Sequence, residues 1–519
     1  MSQFFDLSRR SLLQGAAAAT LATVMPSIVR AEAAPKRGGL LRIGHSGGAT
    51  SDSIDPATYA AGPVVTAMLG GVCNNLAEVD ADGKISPELA ESMEPSPDAR
   101  VWTFKLRKGV TFSNGKALTP EDVIASFNHH RAKDSTSGAK AILSEVVDIR
   151  KDGDAAVVFE LKSGNADFPF LTAEYQFVIM PANADGTLNW KSGIGTGGYT
   201  LESHEPGVRI RLKRRADYWK ADHAWFDQVE LLTINDTTAR QNALLTDQVD
   251  VINSVDIKTL PLLQRKAGIT IEEVTGTAHY LWPMWCDTDP FKDVNVRLAL
   301  KHAVNREELL QKILRGHGKI GNDSPIAPAN RFYAADLPQR SYDPDKAKFY
   351  LKKAGHDNLK VELSAANAAF AGALDAATLF QASAAKCGID ISVKREPDDG
   401  YWSNVWLKKP FVTGYWNGRP TEDSMFSLVY AKGADWNETH WSNDRFNQLL
   451  LEARSSLDDN KRRDMYHEMQ QLVSDDGGAI IPMFSNYIDA RNSKVAHGKL
   501  ASNRFFDGWK LIDRWWSVA

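Results

Sequence analysis

The side chains best suited to grip a small solute gather late in the chain. Tyr401, Trp402, Trp406, Tyr415, Trp416, Trp436 and Trp441 lie within one short stretch. Aromatic faces stack on sugars, rings or cations, and the edges of Trp and Tyr add hydrogen bonds. The same residue types fill cores, and most of these rings are expected to do so. Inside this stretch, Gly414-Tyr415-Trp416-Asn417-Gly418-Arg419-Pro420-Thr421-Glu422-Asp423 combines rings, an amide, a guanidinium and two acids with loop-forming Gly and Pro, a mixture typical of binding loops. The planar guanidinium of Arg419 can hold a carboxylate or phosphate in a bidentate way, or it can bridge Glu422 or Asp423.

Two other motifs raise catalysis and metal binding. Gly44-His45-Ser46-Gly47-Gly48 formally matches a nucleophile elbow, but that elbow needs a preceding sheet and a following helix, whereas this one runs straight into Asp55-Pro56. His129-His130 are adjacent, so on a helix they point apart, and no HExxH is present. His279, His302 and His440 have no metal-ligand spacing. Neither an enzyme nor a metal or other cofactor is expected.

The N-terminus reads as an address. Ser8-Arg9-Arg10-Ser11-Leu12-Leu13 is followed by an uncharged stretch from Gly15 to Val29 and by Ala31-Glu32-Ala33; a positive start, a short apolar run and a small-x-small site make a signal peptide over residues 1–33, with paired arginines pointing to the twin-arginine route. The rest has the composition of an ordinary globular protein, 43% hydrophobic and 24% charged with a formal net charge of -4. It lacks a basic footprint for nucleic acid and any segment long enough to span a membrane. Cys73, Cys286 and Cys387 are odd in number and far apart, and free buried thiols are expected. Its length calls for at least two lobes.

Short strands alternating with capped helices indicate a mixed α/β protein. Thr119-Pro120-Glu121-Asp122 supplies an N-cap, a first-turn proline and acids over the positive helix end, so a helix should run to about Arg131. Asp293, Asn305 with Glu308, and Asp343-Pro344 open further helices, with stops at Gly316 and Gly355. Alternation predicts strands at 208–213, 361–363 and 389–393.

Pro87-Glu88-Leu89-Ala90-Glu91-Ser92, then Trp102 to Phe112 and the 118–127 helix, resemble the most recognisable stretch of the peptide, nickel and opine class of periplasmic solute-binding proteins. Gly195-Thr196-Gly197-Gly198-Tyr199, Arg215 to Trp219, Arg297-Leu298-Ala299-Leu300, Val304-Asn305-Arg306 and the 446–482 segment repeat its later landmarks in order. The resemblance implies a type II bilobal clamp with an inserted accessory α/β domain: lobe one from 34–54, 182–276 and 487–519, the accessory domain from 55–181, and lobe two from 278–486. The chain would cross between lobes near 277–282 and 484–488. It further implies a monomeric periplasmic protein that closes on a small-molecule solute and delivers it to an inner-membrane ABC permease.

In the resembling dipeptide binders, an aspartate in the 414–423 segment holds the ligand ammonium; here Tyr415 or Trp416 stands there. An arginine that holds the ligand carboxylate follows an early strand of lobe two, yet Ser364 to Phe370 contains no base. Losing both partners disfavours a free dipeptide and favours a non-peptide solute, opine-like or a sugar conjugate. The expected binding residues are Tyr401, Trp402, Tyr415, Trp416, Asn417, Arg419 and Asp423 on lobe two, Ser46, Gly47 and Gly48 facing them from lobe one, and Tyr280, Trp282 and Trp285 beside the first crossing. An oligopeptide or dipeptide carrier, and a secreted hydrolase acting through Ser46, are the alternatives.

Overall fold

The computed structural model describes residues 34–60 and 62–518; the expected signal peptide lies outside them. Among these residues no helix is long and apolar enough to cross a membrane.

The local signals in the sequence act as expected. Thr119 forms a capping box with Asp122 at the start of Pro120–Arg131, and the helices Val294–His302, Arg306–Ile313 and Pro344–Lys353 are capped by Asp293, Asn305 and Asp343. Strands occupy Arg209–Arg214, Leu359–Ala365 and Ile389–Arg395. The last two pair in parallel, with the helix Ala373–Ala385 between them in sequence.

A nine-stranded sheet organises the molecule. Its order runs Gly414–Trp416, Ile269–Pro283, Ala479–Asn492, Val251–Ile252, Leu40–His45, Gln228–Thr233, Arg209–Arg214 and Tyr199–Glu205, with Gly318–Ile320 added on Ala479–Asn492. Two strands are far longer than the rest. Ile269–Pro283 and Ala479–Asn492 run antiparallel, and their register breaks between Val274 and Ala278. On one side of that break the pair meets the short strand at Val251; on the other it meets Gly414–Trp416 and Gly318–Ile320.

Separate cores flank this pair. Leu41, Ile43, Leu212, Leu231 and Trp515 share one. Trp282, Leu363 and Phe380 belong to another, and Phe426, Phe446 and Tyr466 to a third. A four-stranded antiparallel sheet, in the order Ala90–Pro95, Val101–Leu106, Ala156–Leu161, Val146–Asp152, has its own core around Phe104, Phe127 and Phe159. Tyr59, Val64, Val65, Met68, Leu69 and Val72, although early in the segment expected to form the accessory domain, pack into the core of Leu41 and Trp515.

At the register break, Gly276 leaves no room for a side chain, since a Cβ there would overlap the carbonyl oxygen of Ser485 on the facing strand. Gly276→Ala should therefore push the two long strands apart and destabilise the fold by about 1–3 kcal/mol, measurable by denaturant unfolding.

A charged cavity at the junction of remote chain segments

Beside the register break, with Thr277 in its wall, lies a cavity of about 300 Å³. Pro328 to Arg331 and Gly418 to Pro420 line one side, Ser502 to Arg504 with Gly508, Lys510 and Arg514 a second, and Glu78 to Gly83 with Phe170, Ala173 and Glu174 a third. Chain segments hundreds of residues apart thus share one space.

Most of the charges around it are already paired. Lys510 donates to Glu78 at 2.9 Å and to the buried Glu88 at 2.7 Å, and Arg514 donates to Glu78 at 3.1 Å. Burial alone would raise the Glu78 carboxyl, but Lys510, Lys220 and Arg514 hold it well below its ordinary range. Lys499 pairs with Asp82 and Arg331 with Asp459. Arg504 donates to Glu174 at 2.8 Å and lies over the rings of Tyr175 and Trp509, 5.0 and 4.8 Å from their centroids.

Arg419 differs from all of these. Its buried Nε finds no hydrogen-bond partner, and its guanidinium lies over Trp416, 5.7 Å from the ring centroid. Burial lowers its pKa; the field of Glu174 opposes this, and that of Arg504 adds to it. Arg419 and Arg504 therefore have Glu174 as their shared carboxylate, and Arg419 makes no ion pair of its own.

The wall at 506–509 is built in an unusual conformation. Phe506, Asp507, Gly508 and Trp509 all have left-handed φ angles of 53°, 57°, 69° and 66°, each costing a residue other than glycine roughly 1–2 kcal/mol. Surrounding bonds hold the turn in place. Asp489 accepts from the Phe506 amide at 2.6 Å, while Asp507 accepts from the Ala501 amide at 2.7 Å and from Arg514 at 3.2 Å. Strain maintained in this way is typical of ligand-contacting loops.

Of the residues expected to bind, the structure brings Arg419 to the cavity, with Trp416 behind it. Tyr280 is stacked on Phe370, Trp282 on Phe380 and Trp285 on His440, at 4.1, 4.6 and 4.3 Å. Tyr401 is buried and donates to the Thr413 carbonyl. Trp402 and Tyr415 meet edge to face on the surface, and Asn417 is exposed outside the cavity lining. Asp423 is buried and bonded to Arg454 at 3.0 Å, while Glu422 accepts from the Phe332 amide. Neither acid bridges Arg419.

The turn after the first strand is also already occupied. Asn253 accepts from the Ser46 amide and Asn235 from the Gly47 amide, at 3.0 and 2.8 Å, and Asn235 donates to the Gly48 carbonyl. The Ser46 and Gly47 amides are thus bonded to side chains of the protein itself. No acid, histidine and serine relay forms here either: His45 contacts the Ser46 carbonyl and Thr66, and the Ser46 hydroxyl contacts Asn253. Among the described residues no group of three metal-ligating side chains is assembled.

Arg504, Glu174, Tyr175 and Lys510 escaped the sequence reading. Only the Arg504-Phe505-Phe506-Asp507-Gly508-Trp509 run offered a local hint, a base among rings beside a glycine.

A cavity shared by remote segments beside a strand-pair hinge defines a solute-binding clamp. The family comparison agrees: residues 84–438 match the bacterial extracellular solute-binding proteins, family 5 (middle region), and the chain belongs to this family of substrate-binding proteins of ABC importers. It is 25% identical over 492 residues to the dipeptide-binding protein of Escherichia coli K12, covering 86% of this chain and 89% of that protein. In structure it is similar to HbpA2 from Haemophilus parasuis, with a TM-score of 0.80, 22% identity and coverage of 90% and 97% of the two chains. It is also similar to AgaA in complex with agropinic acid from A. tumefaciens R10, with a TM-score of 0.72, 24% identity and coverage of 92% and 98%. The bilobal clamp expected from the sequence is thus the fold of the chain.

Asp489 gives the site a pH signature. Burial, aided by Glu272 and Asp507 and opposed by the Phe506 amide, pushes its carboxyl up to about 8. The folded protein keeps it protonated at neutral pH while the unfolded chain ionises it, so it costs stability increasingly from about pH 4 to pH 8 and by a constant amount above. Asp489→Asn does not titrate at this position; its melting temperature relative to the unsubstituted protein should rise steadily across that window, by at most about 1.4 kcal/mol of stability per pH unit.

Proposed function

We propose that this chain is exported to the periplasm behind a cleaved twin-arginine signal, captures a small polar organic solute bearing a carboxylate, and delivers it as a monomer to an inner-membrane ABC permease. On this reading lobe one comprises 34–54, 182–276 and 487–519, and lobe two 278–486. The accessory domain falls within 55–181, its first apolar residues serving the core of lobe one. Arg419 comes from lobe two and Arg504 from lobe one.

The observation that supports this most is the surplus guanidinium at Arg419. Closing the lobes brings it towards Arg504, which is unfavourable until an anion enters; a solute carboxylate between the two would remove the repulsion and favour the closed state. An opine-like molecule or an acidic sugar conjugate fits, since it adds hydroxyl groups for the polar walls. The same fold holds agropinic acid in AgaA.

A dipeptide is the second reading, supported by the named relative of Escherichia coli. It would also need an acid for its ammonium group. Glu78, Asp82 and Glu174 already pair with bases of the protein; Asp80 lines the cavity and its Oδ1 accepts two amides of its own turn, so its other oxygen is the acceptor that a dipeptide ammonium would use.

Native mass spectrometry of the protein purified from its own periplasm, with thermal-shift screening of opines, sugar phosphates and di- and tripeptides, tests both readings. A co-purified non-peptide acid that raises the melting temperature is expected; bound peptides would overturn the choice of solute. Arg419→Ala should weaken the identified solute by about 30-fold or more in calorimetry, and Trp416→Ala should weaken it less. Unchanged affinity in both variants would remove the site assignment.

A further inference from the structure

Glu438 is buried, yet no base lies within ion-pair distance of it; its partners are two indoles. Trp416 Nε1 donates to one carboxylate oxygen and Trp406 Nε1 to the other, each at 2.6 Å. A buried carboxylate without a cation is costly, which calls for a reason to keep it. The reason lies on the other side of the same ring. Trp416 offers its N–H edge to Glu438 and its face to Arg419, the guanidinium whose Nε has no hydrogen-bond partner.

Packing fixes the ring further. Trp406 and Trp436 lie 6.2 and 5.7 Å from Trp416, and the backbone of Trp416 pairs with His279 on the long strand. Burial raises the Glu438 carboxyl to about 7; the bond it accepts from Trp416 determines how the ring is turned, and in its ionised form it also enriches the π face that attracts the cation.

We propose that Glu438 is a positioning residue for solute binding: through Trp416 it sets the platform on which the Arg419 guanidinium rests, and thereby aims that guanidinium into the cavity. The inference rests on Arg419 serving as the anion anchor.

Glu438→Gln is nearly isosteric, but its amide can accept from one indole only and turns an N–H towards the other. In ligand-free protein labelled with ¹⁵N, the Trp416 indole proton should move upfield in this variant, and the Arg419 side-chain protons should lose the ring-current shift that the Trp416 face imposes. Trp406→Phe leaves the Glu438 to Trp416 bond in place and should leave the Arg419 signals where they are. With agropinic acid as the probe in calorimetry, Glu438→Gln should weaken binding about three- to tenfold. In a Trp416→Phe background, which lacks the indole N–H, adding Glu438→Gln should change affinity by less than about twofold.

Arg419 signals that keep their shift in Glu438→Gln would overturn the inference, as would a full loss of affinity added on top of Trp416→Phe. These signals are read without solute, so they decide the role of Glu438 independently. If Arg419→Ala binds agropinic acid as well as the unsubstituted protein does, the anion-anchor reading is the one that fails.

Discussion

The pairing of two long antiparallel strands is the constraint on which the rest of the structure depends. Ile269–Pro283 and Ala479–Asn492 each run through the register break at 274–278 without ending, so backbone hydrogen bonds tie the groups on either side of it into one sheet. Such a joint resists separation but tolerates bending where the ladder is interrupted. Gly276 permits the close approach there, and Thr277, the next residue, forms part of the cavity wall. Bending at this point would alter the cavity, because the residues facing each other across it belong to segments on opposite sides of the break.

Electrostatics follow from this geometry. The side formed by the C-terminal segment places Lys510 and Arg514 over Glu78 and Glu88, a buried network in which every base has an acid. The opposite side contributes Arg419, whose support is an aromatic ring. Acids and bases both line the cavity, and Arg419 is the base among them that has no acid of its own. The 506–509 turn contributes rigidity: it is strained, yet over-determined by Asp489, Asp507 and Arg514, so the protein's own bonds hold the chain that carries Arg504 and Gly508 in the cavity wall.

A second junction stiffens the assembly away from the cavity. The Ala166 amide donates to the Arg454 carbonyl at 2.7 Å, and Arg462 lies 2.6 Å from Asp167 without the alignment of a hydrogen bond. Glu422 and Asp423 lie nearby; burial raises both carboxyls, Glu422 to about 7. Three acids and two arginines thus meet between the helices Asp444–Ser455 and Asp459–Asp475 and the end of the four-stranded-sheet segment. Asp423, expected from its position in the sequence to meet a solute, is held by this junction.

The sequence by itself determined the elements and their family. Caps at Thr119, Asp293, Asn305 and Asp343 act through bonds spanning a few residues, strand alternation acts over two, and the order of landmarks from Pro87 to Pro482 carried the clamp fold; all of these are local or linear properties. It also singled out Arg419, because a guanidinium among rings in a Gly- and Pro-bearing loop is unusual chemistry. Only the tertiary structure decided which neighbours that guanidinium meets. Nothing in the sequence near Arg419 announces Arg504 or Glu174, which reach it through the strand pairing. The donors of Ser46 and Gly47, open to a ligand when read along the chain, are occupied by Asn253 and Asn235 from loops about 190 to 210 residues further along, as loops of one sheet edge can be. Burial and partner choice arise from contacts between distant residues, and for that reason Tyr401, Trp416 and Trp441 proved to be buried, Trp402, Tyr415 and Trp436 exposed, and Arg419 alone of the expected binding residues lines the cavity.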